Sequence, residues 1–241
     1  MPKFFVLSDV HGFCDEMVAA LNKAGFDKDN PNHWLVHCGD AFDRGGQPWE
    51  VMNYFLSLPR AVLIRGNHED LLLDCCKRMD WYDYDFSNGT YYTVCNLGDY
   101  SGRNLTFEDA CIDTKRAIKP YINRLVNYFE TKNYVFVHGW IPLIPNWRDA
   151  HFYDWKQAIW LNGIDMARKG FTEPGKTIVC GHWHCSYGHM LDSIKTDDWI
   201  SEFDEDANWE PYHGEGVIAI DRCTAYTGEV NVLVIEDELL D

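Results

Sequence analysis

The sequence predicts an α/β fold in which buried parallel strands alternate with helices. Five short apolar runs each end directly in a residue that can bind a metal ion. Parallel strands buried on both faces form such runs, and ligands of open α/β sheets bind at the carboxyl ends of the strands. If the five runs share a sheet, their ends form one site. The runs are residues 4–7 before Asp9 and His11, 35–36 before Asp40, 62–64 before Asn67 and His68, 135–137 before His138, and 178–180 before His182 and His184.

The N-terminal part of the chain reads as a βαβαβ unit. The helix after the first strand is expected over residues 14–24, where apolar residues recur at helical spacing and Gly25 follows as the stop signal. Pro48 suits the first turn of the second helix, and the third helix is expected over residues 70–77. This order predicts a parallel sheet with right-handed crossovers.

Residues 79–132 are predicted to form a helical and aromatic cap on the sheet, within a single domain that covers residues 1–241. Two helices are expected here, over residues 106–118 and 120–130, because Pro120 lacks the amide hydrogen that a continuous helix needs. The aromatic side chains of the cap are interpreted as packing residues, since the acidic charge of the chain disfavours a base-stacking platform.

The C-terminal part of the chain is expected to contain loops, short helices and a final hairpin. The hairpin would join strands at residues 217–220 and 230–235, and residues 197–210 form an acidic run that predicts a solvated loop. Three tryptophans of this part are expected to be packed, namely Trp147, Trp155 and Trp160.

The composition excludes several classes of function. With 241 residues and 46% hydrophobic content, the chain can bury the core of a large domain. The net charge of −17 disfavours nucleic acid and anionic membranes as partners. We find neither a secretory signal nor an apolar stretch of about 20 residues, and the nine cysteines are scattered without paired spacing. These features predict a cytoplasmic protein with reduced thiols.

The polar residues at the strand ends are oxygen and imidazole donors, with no thiolate among them. Such donors suit Mn²⁺, iron or Zn²⁺ at a hydrolytic centre better than a structural zinc site. Two carboxylates, an asparagine and several histidines are enough ligands for two ions that share a bridging carboxylate. Two ions about 4 Å apart activate water and bind the oxygens of a phosphoryl group during in-line displacement. The donor set therefore predicts a phosphoesterase.

The order of these motifs resembles that of the calcineurin-like metallophosphoesterase superfamily. Within it, the chain is most similar to the phosphoprotein phosphatase family and its bacterial and phage branch, whose relatives include the symmetrical diadenosine tetraphosphate hydrolases. The resemblance implies a four-layer sandwich of two mixed β-sheets flanked by helices. The motifs that carry it are Asp9-Val10-His11-Gly12, Gly39-Asp40, Asp43-Arg44-Gly45, Gly66-Asn67-His68-Glu69, Val137-His138-Gly139 and Gly181-His182, with weaker similarity at Ser87-Asn88-Gly89-Thr90, Ala158-Ile159-Trp160 and Ile218-Ala219-Ile220-Asp221.

The resemblance also implies a role for each matched residue. His68 would be the general acid for the leaving group, with Asp43 orienting its ring. Arg44 would bind the phosphoryl oxygens through its planar guanidinium group, and Asn67 would also contact the substrate. The implied metal ligands are Asp9 and His11 on the first ion, Asn67, His138 and His182 on the second, and Asp40 as the bridge between the two.

Two positions depart from the pattern of the family. Where the protein phosphatases have a phosphate-binding arginine, this chain has Asn162, so that a second cation would come from Arg148 or Arg168 or be missing. The last motif reads Gly-His-Trp-His, and other calcineurin-like enzymes use such a second histidine on the first metal, which makes His184 a candidate seventh ligand. The remaining histidines are interpreted as structural or surface residues, namely His33, His37, His151, His189 and His213.

These features predict a dinuclear-metal phosphoesterase in which metal-bound hydroxide attacks phosphorus directly, without a covalent intermediate. The expected cofactors are two divalent ions, with Mn²⁺ ahead of iron and Zn²⁺. The expected substrate is a phosphorylated serine or threonine of a protein, and the alternatives are diadenosine tetraphosphate, whose adenine the aromatic cap could stack, and a small phosphate ester. The rival class is a non-catalytic module that binds phosphate or a partner. The complete set of ligand and acid residues argues against this class.

Overall fold

Two mixed β-sheets form the centre of the fold. This computed structural model describes residues 1–98, 106–196 and 199–240. The strands of the first sheet are β1 (Lys3–Leu7), β2 (His33–His37), β3 (Ala61–Ile64), β4 (Leu125–Val126) and β10 (Leu233–Glu236). They lie in the order β10-β1-β2-β3-β4, where β1 to β4 are parallel and β10 is antiparallel to β1. The parallel arrangement predicted for the first three strands is confirmed.

The second sheet is built from the later part of the chain. Its strands are β5 (Phe129–Glu130), β6 (Tyr134–Phe136), β7 (Thr177–His184), β8 (Tyr212–Gly214) and β9 (Val217–Asp221). The order is β5-β6-β7-β9-β8, with three parallel strands in the middle and an antiparallel strand at each edge. The five apolar runs therefore divide between the two sheets, three in the first and two in the second.

Helices cover the outer face of each sheet. Those that contribute to the core on the first sheet are α1 (Cys14–Lys23), α2 (Pro48–Ser57), α3 (Asn67–Arg78), α5 (Thr90–Leu97) and α6 (Phe107–Ile122), and α4 (Asp83–Asn88) packs against α5. Those nearest the second sheet are α7 (Phe152–Ala158), α8 (Gly163–Arg168) and α9 (Cys185–Ser193), with a 3₁₀ turn at Trp147–Asp149 and a short α10 (Thr224–Thr227). None of the helices in the described ranges is long and apolar enough to cross a membrane.

A separate apolar layer joins the inner faces of the two sheets. Phe4 and Val36 contribute to this layer from the first sheet, and Phe136, Val179 and Ile220 contribute from the second. Since each sheet also has a helix-covered outer face, the molecule has four layers, which confirms the predicted sandwich of two mixed sheets.

Two predictions about local structure are wrong. Helix α6 continues through Pro120 and ends two residues later. The proline is tolerated because it lies in the last turn, where its missing amide hydrogen removes only one hydrogen bond. The second predicted helix is replaced by a turn and the short strands β4 and β5. The predicted C-terminal hairpin is also absent from the described residues, because α10 separates β9 from β10 and the two strands enter different sheets.

Candidate metal centre

The residues that follow β1, β2, β3 and β6 meet the last residues of β7 at one edge of the sandwich. Here a cavity of about 250 Å³ lies between the loops of both sheets. Most of the predicted site residues line this cavity, namely Asp9, His11, Asp40, Arg44, Asn67, His68, His182 and His184. Asp43 and His138 lie fully buried behind it and contact His68 and Asp40. The structure thus places every predicted site residue in or beside one cavity.

Asp40 lies at the centre of two donor groups. Its Oδ2 atom is 3.9 Å from Nε2 of both His11 and His68, and 3.4 Å from Nε2 of His138. The first group of possible metal ligands is His11, Asp40 and His68, and the second is Asp40, His138 and His182, each within 4.8 Å. Burial opposes ionisation of Asp40, but the neighbouring imidazoles lower the pKa of its carboxyl well below the usual range. Asp40 is therefore an ionised carboxylate shared by both groups.

Asn67 and His138 face each other with two electron-pair donors. Nδ1 of His138 lies 2.8 Å from the carbonyl oxygen of Cys38, to which it can donate, so that Nε2 is left as an electron-pair donor. Nε2 then faces the Oδ1 atom of Asn67 at 2.7 Å. Two electron-pair donors at this distance are stabilised by a cation between them. The donor set therefore fits a divalent ion.

Asp9 and His11 repeat this pattern on the other side of Asp40. Nδ1 of His11 donates to the carbonyl oxygen of Phe42 at 2.8 Å, and Nε2 lies 3.9 Å from Asp9 Oδ1. Burial and the nearby His68 lower the pKa of His11 well below its usual value, which favours the neutral ring that binds metals. Burial and the charge of Asp221 raise the pKa of Asp9 well above its usual range. A positive ion would relieve this crowding of carboxylates.

The backbone at the site is held in unusual conformations. Non-glycine residues with left-handed φ angles, between 44° and 74°, are Asp9, His11, Asp40, Asp43, Arg44 and His182. Each costs about 1–3 kcal/mol and persists only where the surroundings fix it. Gly66 and Gly181 make these turns possible, because a Cβ atom at either position would collide with the carboxylate of Asp40 or Asp9. The fold thus brings backbone and carboxylate close together at the predicted ligands.

His68 is paired with a buried carboxylate. Its Nδ1 atom donates to Asp43 Oδ2 at 2.8 Å, and Thr90 Oγ1 donates to the same oxygen at 2.6 Å. The backbone N–H of Asp43 donates in turn to Thr93 Oγ1 at 3.1 Å. Burial alone would lower the pKa of His68, but the charge of Asp40 and the bond to Asp43 outweigh it and raise that pKa. Helix α5 of the cap therefore positions Asp43, a role that the sequence did not reveal.

Two further buried acids belong to the site. Glu69 accepts backbone N–H bonds from Gly66, Asp40 and Ala41 at 2.8–3.1 Å, and thereby ties the loop after β2 to the start of α3. Burial, together with the charge of Asp40, raises the pKa of Glu69 to about 7. Asp221 is the last residue of β9, is buried and lines the cavity. It was missed as a site residue although it also ends an apolar run.

Aromatic residues surround the mouth of the cavity. Trp160 is 49% exposed with its ring 5.9 Å from that of His182, so the expectation that it is packed is wrong, whereas Trp147 and Trp155 are buried as predicted. Trp183 also lines the mouth and is 37% exposed. Trp160 follows α7 and Trp183 lies in β7, so each contributes a partly exposed ring to the mouth.

Arg44 is the basic side chain among the described residues that line the cavity. Arg148 is bound to Glu130 and Glu173, and Arg168 is bound to Asp192, so neither supplies the second cation considered from the sequence. Asn162 instead accepts a backbone bond from Asp165 and caps α8.

The other histidines lie outside the donor groups. Nδ1 of His184 is 3.2 Å from Glu202 Oε1, and His184 lines the cavity, so that its role as a ligand stays a prediction. Glu202 belongs to the acidic run, whose residues Asp197 and Asp198 lie outside the described ranges. His37 is fully buried, as expected, but neither ring nitrogen has a partner among the described residues. His189 binds the carbonyl oxygen of Glu210, away from the cavity.

Comparisons with known proteins identify the family of this chain. The model of the calcineurin-like phosphoesterase family matches residues 2–186. Over 70 residues the chain is 41% identical to a protein of Hamiltonella defensa and 40% identical to one of Klebsiella pneumoniae, both named symmetrical bis(5'-nucleosyl)-tetraphosphatase. These matches cover 29% of this chain and 25% and 24% of the two relatives, so the similarity spans about a quarter of their length.

Similar solved structures confirm the fold. A crystal structure described as a putative diadenosine tetraphosphatase has a TM-score of 0.58 at 15% identity and covers 98% of this chain and 91% of its own. The cold-active protein-tyrosine phosphatase of a psychrophile Shewanella species has a TM-score of 0.56 at 20% identity, and covers 98% of this chain and 76% of its own. At these identities the likeness establishes the two-sheet architecture.

Proposed function

We propose that this chain, which belongs to the calcineurin-like phosphoesterase family, hydrolyses phosphate monoesters with two divalent metal ions. Its proposed preferred substrates are the phosphorylated serine and threonine side chains of proteins. The observation that carries this proposal is the pair of donor groups that share Asp40. A carboxylate with imidazoles on two sides suits a pair of ions, which in phosphoester hydrolysis activate a water molecule and neutralise phosphoryl charge.

The proposed ligands follow from the donor positions. Asp9, His11 and Asp40 would hold one ion, and Asp40, Asn67, His138 and His182 would hold the other. We propose Mn²⁺ as the preferred ion, with iron and Zn²⁺ as alternatives, because the donors are oxygen and imidazole only. His184 is proposed as a further ligand, since it lines the same cavity.

The remaining site residues act on the substrate. Arg44, the exposed arginine at the cavity, is proposed to bind the phosphoryl oxygens as a bidentate donor, with help from Asn67. His68 is proposed to donate the proton that the leaving alkoxide needs, and Asp43 to hold the ring and favour its protonated form. The nine free thiols, seven of them buried, support a reducing compartment such as the cytoplasm.

The test is hydrolysis of p-nitrophenyl phosphate by metal-stripped protein, with Mn²⁺ returned in steps and the metal content measured in the same samples. We expect activity to follow the binding of about two ions per chain. Two bound ions without turnover of any phosphate ester would favour the non-catalytic binding module. A chain that binds no metal would contradict the proposal.

A second candidate substrate is a dinucleoside tetraphosphate. Two exposed tryptophans, Trp160 and Trp183, flank the cavity and could stack on nucleobases, and the relatives named above carry the name of such an enzyme. The two candidates are separated by measuring kcat/KM for a phosphoserine peptide and for diadenosine tetraphosphate. If the nucleotide is the substrate, Trp183→Ala lowers kcat/KM for diadenosine tetraphosphate and leaves the peptide rate unchanged.

A further inference from the structure

An open groove that the proposed catalytic residues do not use lies beside the metal centre. It is lined by three aromatic rings and three consecutive acids. The rings belong to Phe203, Trp209 and Tyr226, and the acids are Asp204, Glu205 and Asp206.

The three rings form a fixed aromatic cluster. The centroid distances are 5.8 Å from Phe203 to Trp209, 5.6 Å from Phe203 to Tyr226 and 5.6 Å from Trp209 to Tyr226. The hydroxyl of Tyr226 donates to the carbonyl oxygen of Phe203 at 2.5 Å, which holds the helix α10 side of the groove to the acidic loop. Tyr226 nevertheless remains 61% exposed and Phe203 39%. Exposed aromatic rings can bind lysine and arginine side chains through cation–π contacts.

The negative charge of the groove also favours lysine and arginine side chains as ligands. The side chains of Asp204, Glu205 and Asp206 are exposed, and the residues that line the groove include no lysine or arginine. The chain as a whole carries a net charge of −17. The groove therefore repels a phosphate or nucleotide and attracts a cation.

The groove shares a wall with the metal cavity. The ring of His184, which lines the cavity, lies 5.1 Å from Phe203 and 6.4 Å from Trp209. Thr224 and Ala225 line the cavity, and the next residue, Tyr226, lines the groove. An extended peptide with its phosphate at the metal ions can therefore place a neighbouring side chain in the groove.

We propose that the groove binds a lysine or arginine side chain of a phosphorylated protein segment whose phosphate occupies the metal centre. This inference rests on the proposed function and adds a preference to it. The chain selects phosphorylated sites that have a basic residue near the phosphoserine or phosphothreonine.

The test compares two phosphoserine peptides that differ only in arginines or glutamines at the flanking positions. We expect kcat/KM to be about tenfold higher for the arginine peptide, a factor that corresponds to 1.4 kcal/mol. The variant Asp204→Asn/Glu205→Gln/Asp206→Asn should lose most of this preference, and Tyr226→Leu should lose part of it. A matched control, Glu50→Gln/Glu108→Gln/Glu215→Gln, removes three exposed charges elsewhere and should keep the preference. All variants should hydrolyse p-nitrophenyl phosphate at the unaltered rate.

Binding of triarginine amide, with triglutamine amide as the reference, tests the groove without turnover. Triarginine binding that the acidic triple variant abolishes would support the groove even if no phosphopeptide were hydrolysed, in which case the proposed function alone fails. Equal kcat/KM for the two peptides, in a chain that hydrolyses both, would refute the groove and leave the function standing. A preference that survives in both groove variants would also overturn the inference.

Discussion

Replacement of Asp43 by asparagine tests how the buried pair with His68 serves catalysis. Asparagine has nearly the same shape and can still accept the proton of His68 Nδ1, which now lies 2.8 Å from Asp43 Oδ2. It can also still accept the bond from Thr90. What the variant removes is the negative charge, at a position that is fully buried and therefore weakly screened.

The size of the effect follows from the hydrogen bond. A bond to a charged partner contributes about 1.5–3 kcal/mol and a neutral one about 0.5–1.5 kcal/mol, so the loss is roughly 1–1.5 kcal/mol. This corresponds to about one unit in the pKa of His68. The pKa of His68 is raised in the wild type, with Asp40 and Asp43 outweighing burial. Loss of the Asp43 charge therefore lowers that pKa, and the protonated acid disappears at lower pH.

The assay is the pH profile of kcat for two substrates with Mn²⁺ present. We expect the alkaline limb of the Asp43→Asn profile to move down by about one pH unit, so that turnover on the alkaline side falls by about tenfold. The effect should be large for a phosphoserine peptide, whose alkoxide needs a proton, and small for p-nitrophenyl phosphate, which has a stable leaving group.

Metal content serves as the control for the Asp43→Asn variant, because Asp43 is not among the proposed ligands. It should stay at the wild-type value. An alkaline limb at the wild-type position would refute the role of Asp43. An equal loss on both substrates, with the metals retained, would refute the role of His68 as the proton donor.

Three further substitutions test the metal centre and its support. Asp40→Asn should lose both ions together, because this carboxylate belongs to both donor groups, and retention of two ions per chain would contradict the bridge. Gly181→Ala should weaken the Asp9 side of the centre, since the added Cβ collides with that carboxylate; an unchanged metal affinity would argue against this contact. His37→Leu should remove a pH dependence of stability. Burial lowers the pKa of His37 to about 3, so this residue takes up a proton near pH 6.5 only when the chain is unfolded. The free energy of unfolding of the wild type therefore falls by about 2 kcal/mol as the pH is lowered from 6.5 to 5. Urea unfolding of the metal-free proteins should show this difference, and parallel pH profiles would rule it out.

The sequence predicted which polar residues lie together better than it predicted the connections between strands. A strand that is buried on both faces and followed by a polar donor leaves a local pattern, and this pattern located Asp40 and His138. It carries no information on the sheet that the strand joins, so the second sheet was expected from the resemblance to a family and not from the pattern itself. The same pattern precedes Asp221, and its application to residues 217–220 would have found that acid.

Other features depend on contacts that no local pattern records. Thr90 and Thr93 reach Asp43 from a helix nearly fifty residues later in the chain. Trp160 was expected to be packed because tryptophan usually is, but its place at the mouth depends on how the loop after α7 meets His182. Pro120 reads as a helix break unless the position of the helix end is known.

The division of the ligands between the two sheets gives the metal centre a structural role. Asp9 and His11 follow a strand of the first sheet, whereas His138 follows β6 and His182 lies in β7 of the second. Asp40 belongs to both donor groups. Ions bound at these groups would therefore link the loops of both sheets across the apolar layer between them. Ligand binding that is restricted to the folded state stabilises that state in proportion to the logarithm of ligand concentration over Kd. The buried carboxylates and the left-handed turns destabilise the metal-free chain, and the same features would favour metal binding by the folded state.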